Sequence, residues 1–304
     1  PEERKEYKVE LPDIGTLFHD SLENFPEELK KENVQWDKIS TEKAEVIIER
    51  IINNLSSEFQ NGLLESNSRN KYLKEKLKRV SKRAIKTLTE QLQKGEYKPW
   101  KFEFPFKEVL SEEKNIILEG RIDRLDIWKD ENNKYYLRVI DYKSGSKKFS
   151  LSDIYNLLQL QLIVYLTAAL FEGEKILDGE VKAGGAFYFK IDDPYIESND
   201  SEDVKVEESK NSILKMDGFL LDEEKNVKAM DKEIYENKKS MVIPVAIIKG
   251  DNFSANSMVF SEEDLKIIFN YVKKMALEMV NNIDEGDIKI RPAKGGNYFS
   301  CTYC

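Results

Sequence analysis

Asp123, Asp141 and Lys143 are residues whose types and spacing point to chemistry. Asp123 closes the run "EGRID" (119–123), and Asp141 and Lys143 end "LRVIDYK" (137–143). Side chains along a strand alternate faces with a period of two, so Asp141 and Lys143 project the same way, as do Arg121 and Asp123. Between the runs lies "KDENNK" (129–134), polar and rich in turn formers, which predicts a hairpin tip. A tip centred on Asn132 sets Asp123 across from Asp141. Directly opposed Cβ atoms stand roughly 4.5–5.5 Å apart, and like charges there repel unless something positive intervenes. A divalent cation is the economical answer, since Mg²⁺ is typically held by one or two carboxylates with waters and phosphate oxygens. Lys143 beside it would orient an attacking water and stabilise charge developing at phosphorus. A surface hairpin with scattered charges is the competing reading. Against it, both aspartates interrupt apolar strands, where ionised groups are costly without a purpose.

The elements that must position these residues follow from the pattern around them. Helical periodicity runs through "DIGTLFHDSLENF" (13–25), 41–59 and 71–93. Strand-like texture follows in "YKPWKFEFPF" (97–106), then in the two runs above. A single long helix is expected over "SDIYNLLQLQLIVYLTAALFEG" (152–173), capped by Ser152. "GGAFYFKI" (184–191) and "MVIPVAIIKG" (241–250) read as strands, and "FSEEDLKIIFNYVKKMALEMV" (260–280) as a helix with a Ser261–Asp264 capping box. This order predicts one α/β domain with a mixed central sheet flanked by helices. Its parts are an N-terminal helical region (1–98), a catalytic core (99–192), an acidic insertion (193–237) and a C-terminal strand, helix and Cys motif (238–304).

"GRIDRLD", "VIDYKSG" and "LQLQLIVYL", in that order, resemble the RecB-like branch of the PD-(D/E)XK nucleases. The resemblance implies a restriction-endonuclease-like core and DNA cleavage with Mg²⁺ or Mn²⁺. It implies metal ligation by Asp123, Asp141 and the backbone carbonyl of Tyr142, with Lys143 assisting the nucleophile. It also implies a metal-binding His on an early helix, here His19 in the pattern Gly15-x-x-x-His19, and a Gln-x-x-x-Tyr helix motif, here Gln161 and Tyr165, which touches DNA or braces the site. Arg121 shares the face of Asp123 and could contact phosphate; Arg124 points the other way and reads as structural. Glu103 in "KFEFPF" lies on a neighbouring strand and is not assigned to the site.

Within that branch, the early "DIGTLFHDSLENF", "GGAFYFKIDDP" and the final "CTYC" are similar to the nuclease regions of AddB-type subunits of bacterial helicase-nucleases. That likeness implies an AddA-type helicase-nuclease partner and single-stranded or unwound duplex DNA ends as substrate. The setting would be double-strand-break processing for recombinational repair. It further implies a [4Fe–4S] cluster in a longer parent. Cys301 and Cys304 match two of its four thiolates; the other two are not among the residues of this chain, and the chain reads as part of something longer. Two rivals stand beside this reading: a stand-alone RecB-like exonuclease of the CRISPR-associated kind, and a DNA-end-binding or scaffold module that does not cut.

Bulk properties bound these readings. The 304 residues carry 48 Lys and Arg against 57 Asp and Glu, a net charge of −9, so nucleic acid would have to meet a local basic patch. Lys74, Lys78, Lys82 and Lys86 form such a candidate stripe, with Arg79 and Arg83 adjacent. No apolar run approaches the roughly 18–20 residues of a membrane span, and "PEERKEYKVE" is no signal peptide, so a cytoplasmic setting is expected. No Walker motif is present, so no ATPase activity is expected from these residues.

Overall fold

The computed structural model describes residues 9–113, 116–145, 147–196, 203–287, 289–290, 292, 294–295 and 298–299. The chain divides into two compact units. The first comprises Pro1–Gly95, Tyr142–Ser146 and Phe189–Lys215, and the second Glu96–Asp141, Lys147–Tyr188 and Met216–Cys304.

The first unit is built on α1 (Leu11–Lys31), α2 (Thr41–Glu58) and α3 (Ser68–Lys94). Apolar residues recur at helical spacing: Leu22, Phe25 and Leu29 on α1; Ile47, Ile48, Ile51 and Ile52 on α2; Leu77, Ala84, Ile85 and Leu88 on α3. All are buried. Each large aliphatic or aromatic side chain removed from water contributes about 1.5–3 kcal/mol, so these stripes dominate the packing of the unit. Ser40 and Asn67 cap α2 and α3 by accepting from the backbone N–H of Lys43 and Asn70.

The second unit contains most of the sheet. Its strands begin with β1 (Lys98–Ser111), β2 (Ile116–Lys129) and β3 (Tyr135–Lys143), successive antiparallel neighbours. After β3 the chain forms α4 (Leu151–Tyr155) and α5 (Gln161–Ile176), then returns as β4 (Val181–Lys190) beside β3. The single helix expected over 152–173 is therefore two. Leu157 takes a left-handed φ of 61°, which ends the first helix, and Ser150 rather than Ser152 supplies the N-cap. Gln159 fixes the break, donating to the Lys148 carbonyl and accepting from the Ser150 N–H.

The segment expected as an acidic insertion holds α6 (Asp203–Ile213), β5 (Asp217–Leu221), α7 (Glu224–Met230) and α8 (Ile234–Asn237). β5 is buried and pairs antiparallel with β4, so this part of the segment belongs to the sheet. β6 (Val259–Phe260) then adds in parallel, giving a mixed sheet ordered β1-β2-β3-β4-β5-β6. "MVIPVAIIKG" forms only the isolated bridges Lys239↔Ala246 and Ile247↔Phe253. Val242, Ile243 and Val245 are buried as an apolar strand would be, but Pro244 has no N–H to give a ladder. α9 (Glu262–Asp284) opens with the expected Ser261–Asp264 capping box and packs on α5 and β1. A short hairpin, β7 (Lys294–Gly295) and β8 (Tyr298–Phe299), follows. Among the described residues no helix is long and apolar enough to cross a membrane.

Candidate active site

The two faces of the β2–β3 ribbon differ. β2 and β3 pair from Lys129↔Tyr135 at the tip to Arg124↔Ile140. These pairs are symmetric about Asn132, and the same count carried one position past Arg124↔Ile140 would set Asp123 against Asp141. Opposed residues share a face. On the face that turns away from the two aspartates, Asp126 accepts from Arg124 Nε at 2.6 Å and from Arg138 Nη2 at 2.6 Å. All three side chains lie fully out of solvent. The two guanidinium groups overcome the cost of burial and hold the Asp126 carboxyl below the usual carboxylate range. Tyr97 lies over the Arg138 guanidinium at 4.6 Å and donates to Asn226 on α7. Arg124 is thus structural, as its alternation predicts.

The face carrying Asp123 and Asp141 is covered by α5. A Cβ on Gly173 would stand 2.8 Å from Leu137, which shares the face of Asp141 on β3, so glycine lets helix and strand approach closely. Asp141 is 1% exposed and Asp123 half-buried. Gln161, the first residue of α5, donates from Nε2 to the Tyr165 hydroxyl at 2.9 Å. Tyr165 meets Phe106 of β1 edge-on at 5.7 Å. Burial pushes the Tyr165 hydroxyl up, the Gln161 hydrogen bond opposes this, and the charges of Asp141, Asp123 and Glu103 raise it further. All three carboxylates therefore act on one tyrosine oxygen.

Two further side chains belong to this part of the sheet: Glu103, which the sequence offers but leaves unassigned, and Tyr188, which it does not pick out. Glu103 lies between the pairs Phe102↔Arg124 and Phe104↔Ile122, hence across β1 from Asp123. Its carboxylate is 3.7 Å from the Arg121 guanidinium, and the Arg121 side chain is largely open to solvent. The second is Tyr188 of β4. Burial raises its hydroxyl first, and the charge of Asp141 raises it next. A Tyr inside "GGAFYFKI" reads as core; only the sheet order, with β4 next to β3, brings it near Asp141.

The remaining expected residues lie in the first unit. His19 projects from α1 with its ring edge-on to Tyr142 at 6.3 Å. A Cβ on Gly15, one turn earlier, would stand 3.4 Å from Ser144 Oγ, so a larger residue there would press on the end of β3. Lys143 ends β3 and is half-buried. Cys301 and Cys304 lie outside the described residues.

The candidate DNA-tracking stripe on α3 is engaged inside its own unit. Lys74 pairs with Glu65, Lys82 with Glu49 at 2.5 Å, and Lys78 with Glu49 and Glu75. Arg83 grips Glu207 of α6 through two hydrogen bonds of 2.6 and 2.8 Å, Lys86 joins them, and Arg79 pairs with Asp193. Arg83 and Lys86 hold the acidic α6, while Lys74, Lys78 and Lys82 pair with Glu65, Glu49 and Glu75.

The oxygen donors Asp123 and Asp141 suit a hard divalent cation, which needs only one or two carboxylates when water and phosphate complete its shell. Among the described residues, no group of three or more His, Cys, Asp or Glu is close enough to hold an ion by itself. A two-carboxylate site is the arrangement this donor set fits.

The sequence profile of the PD-(D/E)XK nuclease superfamily matches residues 1–304, and the chain belongs to that superfamily. It is 42% identical over 313 residues to a subunit of the ATP-dependent helicase/deoxyribonuclease of Alkaliphilus metalliredigens. It is 42% identical to the corresponding protein of Alkaliphilus oremlandii and 37% identical to that of Lachnoclostridium phytofermentans. All of this chain is covered in each alignment, but only 26–27% of each relative, so it spans about a quarter of their length.

Proposed function

We propose that this chain is the metal-dependent deoxyribonuclease part of a helicase-nuclease, cutting DNA phosphodiester bonds as an exonuclease. The observation that supports the reading is the register of β2 on β3, symmetric about Asn132, whose continuation past Arg124↔Ile140 would bring Asp123 against Asp141. Asp123 and Asp141 are the ligands proposed for Mg²⁺ or Mn²⁺. The resemblance adds the Tyr142 carbonyl and His19, although His19 does not join the two aspartates in one group among the described residues; neutral imidazole suits Mn²⁺ better than Mg²⁺. Such a cation supplies Lewis-acid polarisation of the scissile phosphate. Lys143 holds the attacking water in line and neutralises charge that grows on the phosphate oxygens. Gln161 orients the Tyr165 hydroxyl, and that hydroxyl and the Arg121 guanidinium offer hydrogen bonds to the DNA backbone. The relatives are named as one subunit of an ATP-dependent helicase/deoxyribonuclease, which supports a second, AddA-type subunit as partner; processing of broken duplex ends for recombinational repair and a cytoplasmic setting complete the proposal. A [4Fe–4S] cluster to which Cys301 and Cys304 would give two of four thiolates is proposed for the longer parent and not for these residues alone.

Lys143→Ala tests the mechanism. It should abolish Mn²⁺-dependent cleavage of end-labelled single-stranded DNA, with circular dichroism and the thermal midpoint unchanged. Cleavage within about twofold of the parent chain, far short of the roughly 10²–10³-fold loss typical when a preorganised charge-stabilising group is removed, would overturn it.

A further inference from the structure

Tyr155 ends α4 and Tyr271 lies midway along α9, both within the second unit. Their rings are parallel to within 8°, with centroids 5.9 Å apart, and the Tyr271 hydroxyl donates to the Tyr155 backbone carbonyl at 2.7 Å. That hydrogen bond ties α4 to α9, and any residue at 155 would offer the same carbonyl. It does not account for the Tyr155 side chain, which is 72% exposed although one face of its ring meets Tyr271. Leu151, one turn earlier on α4, is 40% exposed, and Ile267, one turn before Tyr271 on α9, is 67% exposed. Residues four apart share a helix face, so Leu151 adjoins Tyr155 and Ile267 adjoins Tyr271. Apolar surface gathered in this way, rather than scattered singly, marks a place where something binds.

Shape and charge narrow what that is. A ring held at a fixed tilt with its outer face open presents a flat π surface, on which a nucleobase stacks whatever its sequence. Lys274 follows Tyr271 by three residues and is exposed on the same side of α9. A shallow hollow of about 480 Å³ opens along this stretch, edged by Asn270, Lys273, Lys274 and Asn281, whose amide and ammonium groups suit a phosphate. Glu278 also edges it and keeps the net attraction small. The place in the chain agrees: Tyr155 comes six residues before Gln161 of the candidate site, and α9 packs on α5, which Gln161 opens. The α3 lysines are engaged by acids of their own unit, so stacking supplies affinity that charge does not.

We infer that Tyr155, braced by Tyr271, is a stacking platform for a base of single-stranded DNA, outside the residues proposed to cut it. This inference rests on the deoxyribonuclease reading proposed above. One base lies on the open face of Tyr155, and a neighbouring phosphate meets Lys274. A platform of this kind grips a strand without regard to its sequence, as an enzyme that shortens arbitrary DNA requires.

The test is fluorescence anisotropy of a labelled single-stranded oligothymidylate, with EDTA present so that no strand is cut. It is run on the parent chain and on Tyr155→Ala, Tyr155→Leu and Tyr155→Trp, each checked for its thermal midpoint. Tyr155→Ala and Tyr155→Leu should each weaken binding about 5–100-fold, while Tyr155→Trp, which keeps a ring to stack on, should stay within about twofold of the parent. An abasic strand of the same length should bind the parent and Tyr155→Ala alike. Parent-like affinity for oligothymidylate in Tyr155→Ala overturns the platform, because the ring then takes no part. The same result in Tyr155→Leu overturns it too, because apolar area alone is then enough. A parent chain that binds the abasic strand as tightly as oligothymidylate, or that binds neither, also overturns it. None of these outcomes decides the nuclease reading, which stands or falls on Mn²⁺-dependent cleavage by the parent and its loss in Lys143→Ala.

Discussion

At the scale of single residues, the two faces of one hairpin do opposite things with charge. One face neutralises its acid completely: Asp126 sits between two guanidinium groups. Removing one member of such a buried set leaves the others uncompensated. Asp126→Ala should therefore destabilise the chain by about 3–5 kcal/mol, read as a lowered midpoint in urea unfolding. Asp126 also contributes to acid sensitivity. Its pKa in the folded chain lies below the unfolded value, so its stabilisation is present above the ordinary carboxylate range and is lost as pH falls through the depressed value. The other face carries Asp141, buried, and Asp123, half-buried, the two acids proposed to hold a cation. Gly120 marks how tightly Phe106 and Tyr165 are packed. An added Cβ would meet the Phe106 ring at 2.8 Å, and Phe106 is packed against Tyr165. Gly120→Ala should cost about 1–3 kcal/mol by overpacking and should lower cleavage more than Mn²⁺ affinity, since it displaces Tyr165 and not the aspartates.

At the scale of elements, α6 is tied to α3 by charge. Glu207 accepts both hydrogen bonds from Arg83, and this pairing, with Lys86, pulls its carboxyl down to about 2. A depressed carboxylate contributes stability that is full above its unfolded pKa and is lost as pH falls toward the folded one. Amide hydrogen exchange across 203–213 should therefore accelerate between pH 4 and pH 2, about the interval between the usual glutamate value and the folded one, before the α1–α3 core opens. The same contacts show what could be read from the residues beforehand. The β2–β3 register was legible because a short polar tip leaves one symmetric pairing, and helices α1, α2, α3 and α9 were legible from their apolar stripes and caps. The break between α4 and α5 was not: "NLLQL" continues the apolar pattern, and it is a leucine, not glycine or proline, that turns left-handed. β5 was hidden by acidic neighbours, although "GFLL" itself is apolar and buried. Glu103 was visible as a residue on a neighbouring strand but not assignable, since the pairing of β1 with β2 carries two register shifts that no local pattern encodes.

At the scale of the molecule, a net charge of −9 and a basic stripe spent on internal ion pairs leave little long-range attraction for DNA. Affinity for single-stranded DNA should accordingly fall only shallowly with salt, equivalent to about one to three phosphate contacts. Lys78→Gln and Lys82→Gln together should leave that slope unchanged in fluorescence-anisotropy titrations; a slope reduced by about one or more would return the stripe to the DNA interface. The buried trio of Arg124, Asp126 and Arg138 has a consequence beyond its own energy. Were β2 to dock on β3 one notch out, the side chains of β2 would change sides, carrying Arg124 and Asp126 to the helix-covered layer and leaving Arg138 without its acid. The chain thus carries an internal check on its own assembly: only the alignment that satisfies the arginines also brings Asp123 and Asp141 face to face. Replacing the trio with oily residues of equal bulk could make the protein tougher, and would remove the safeguard that keeps its cutting edge correctly ground.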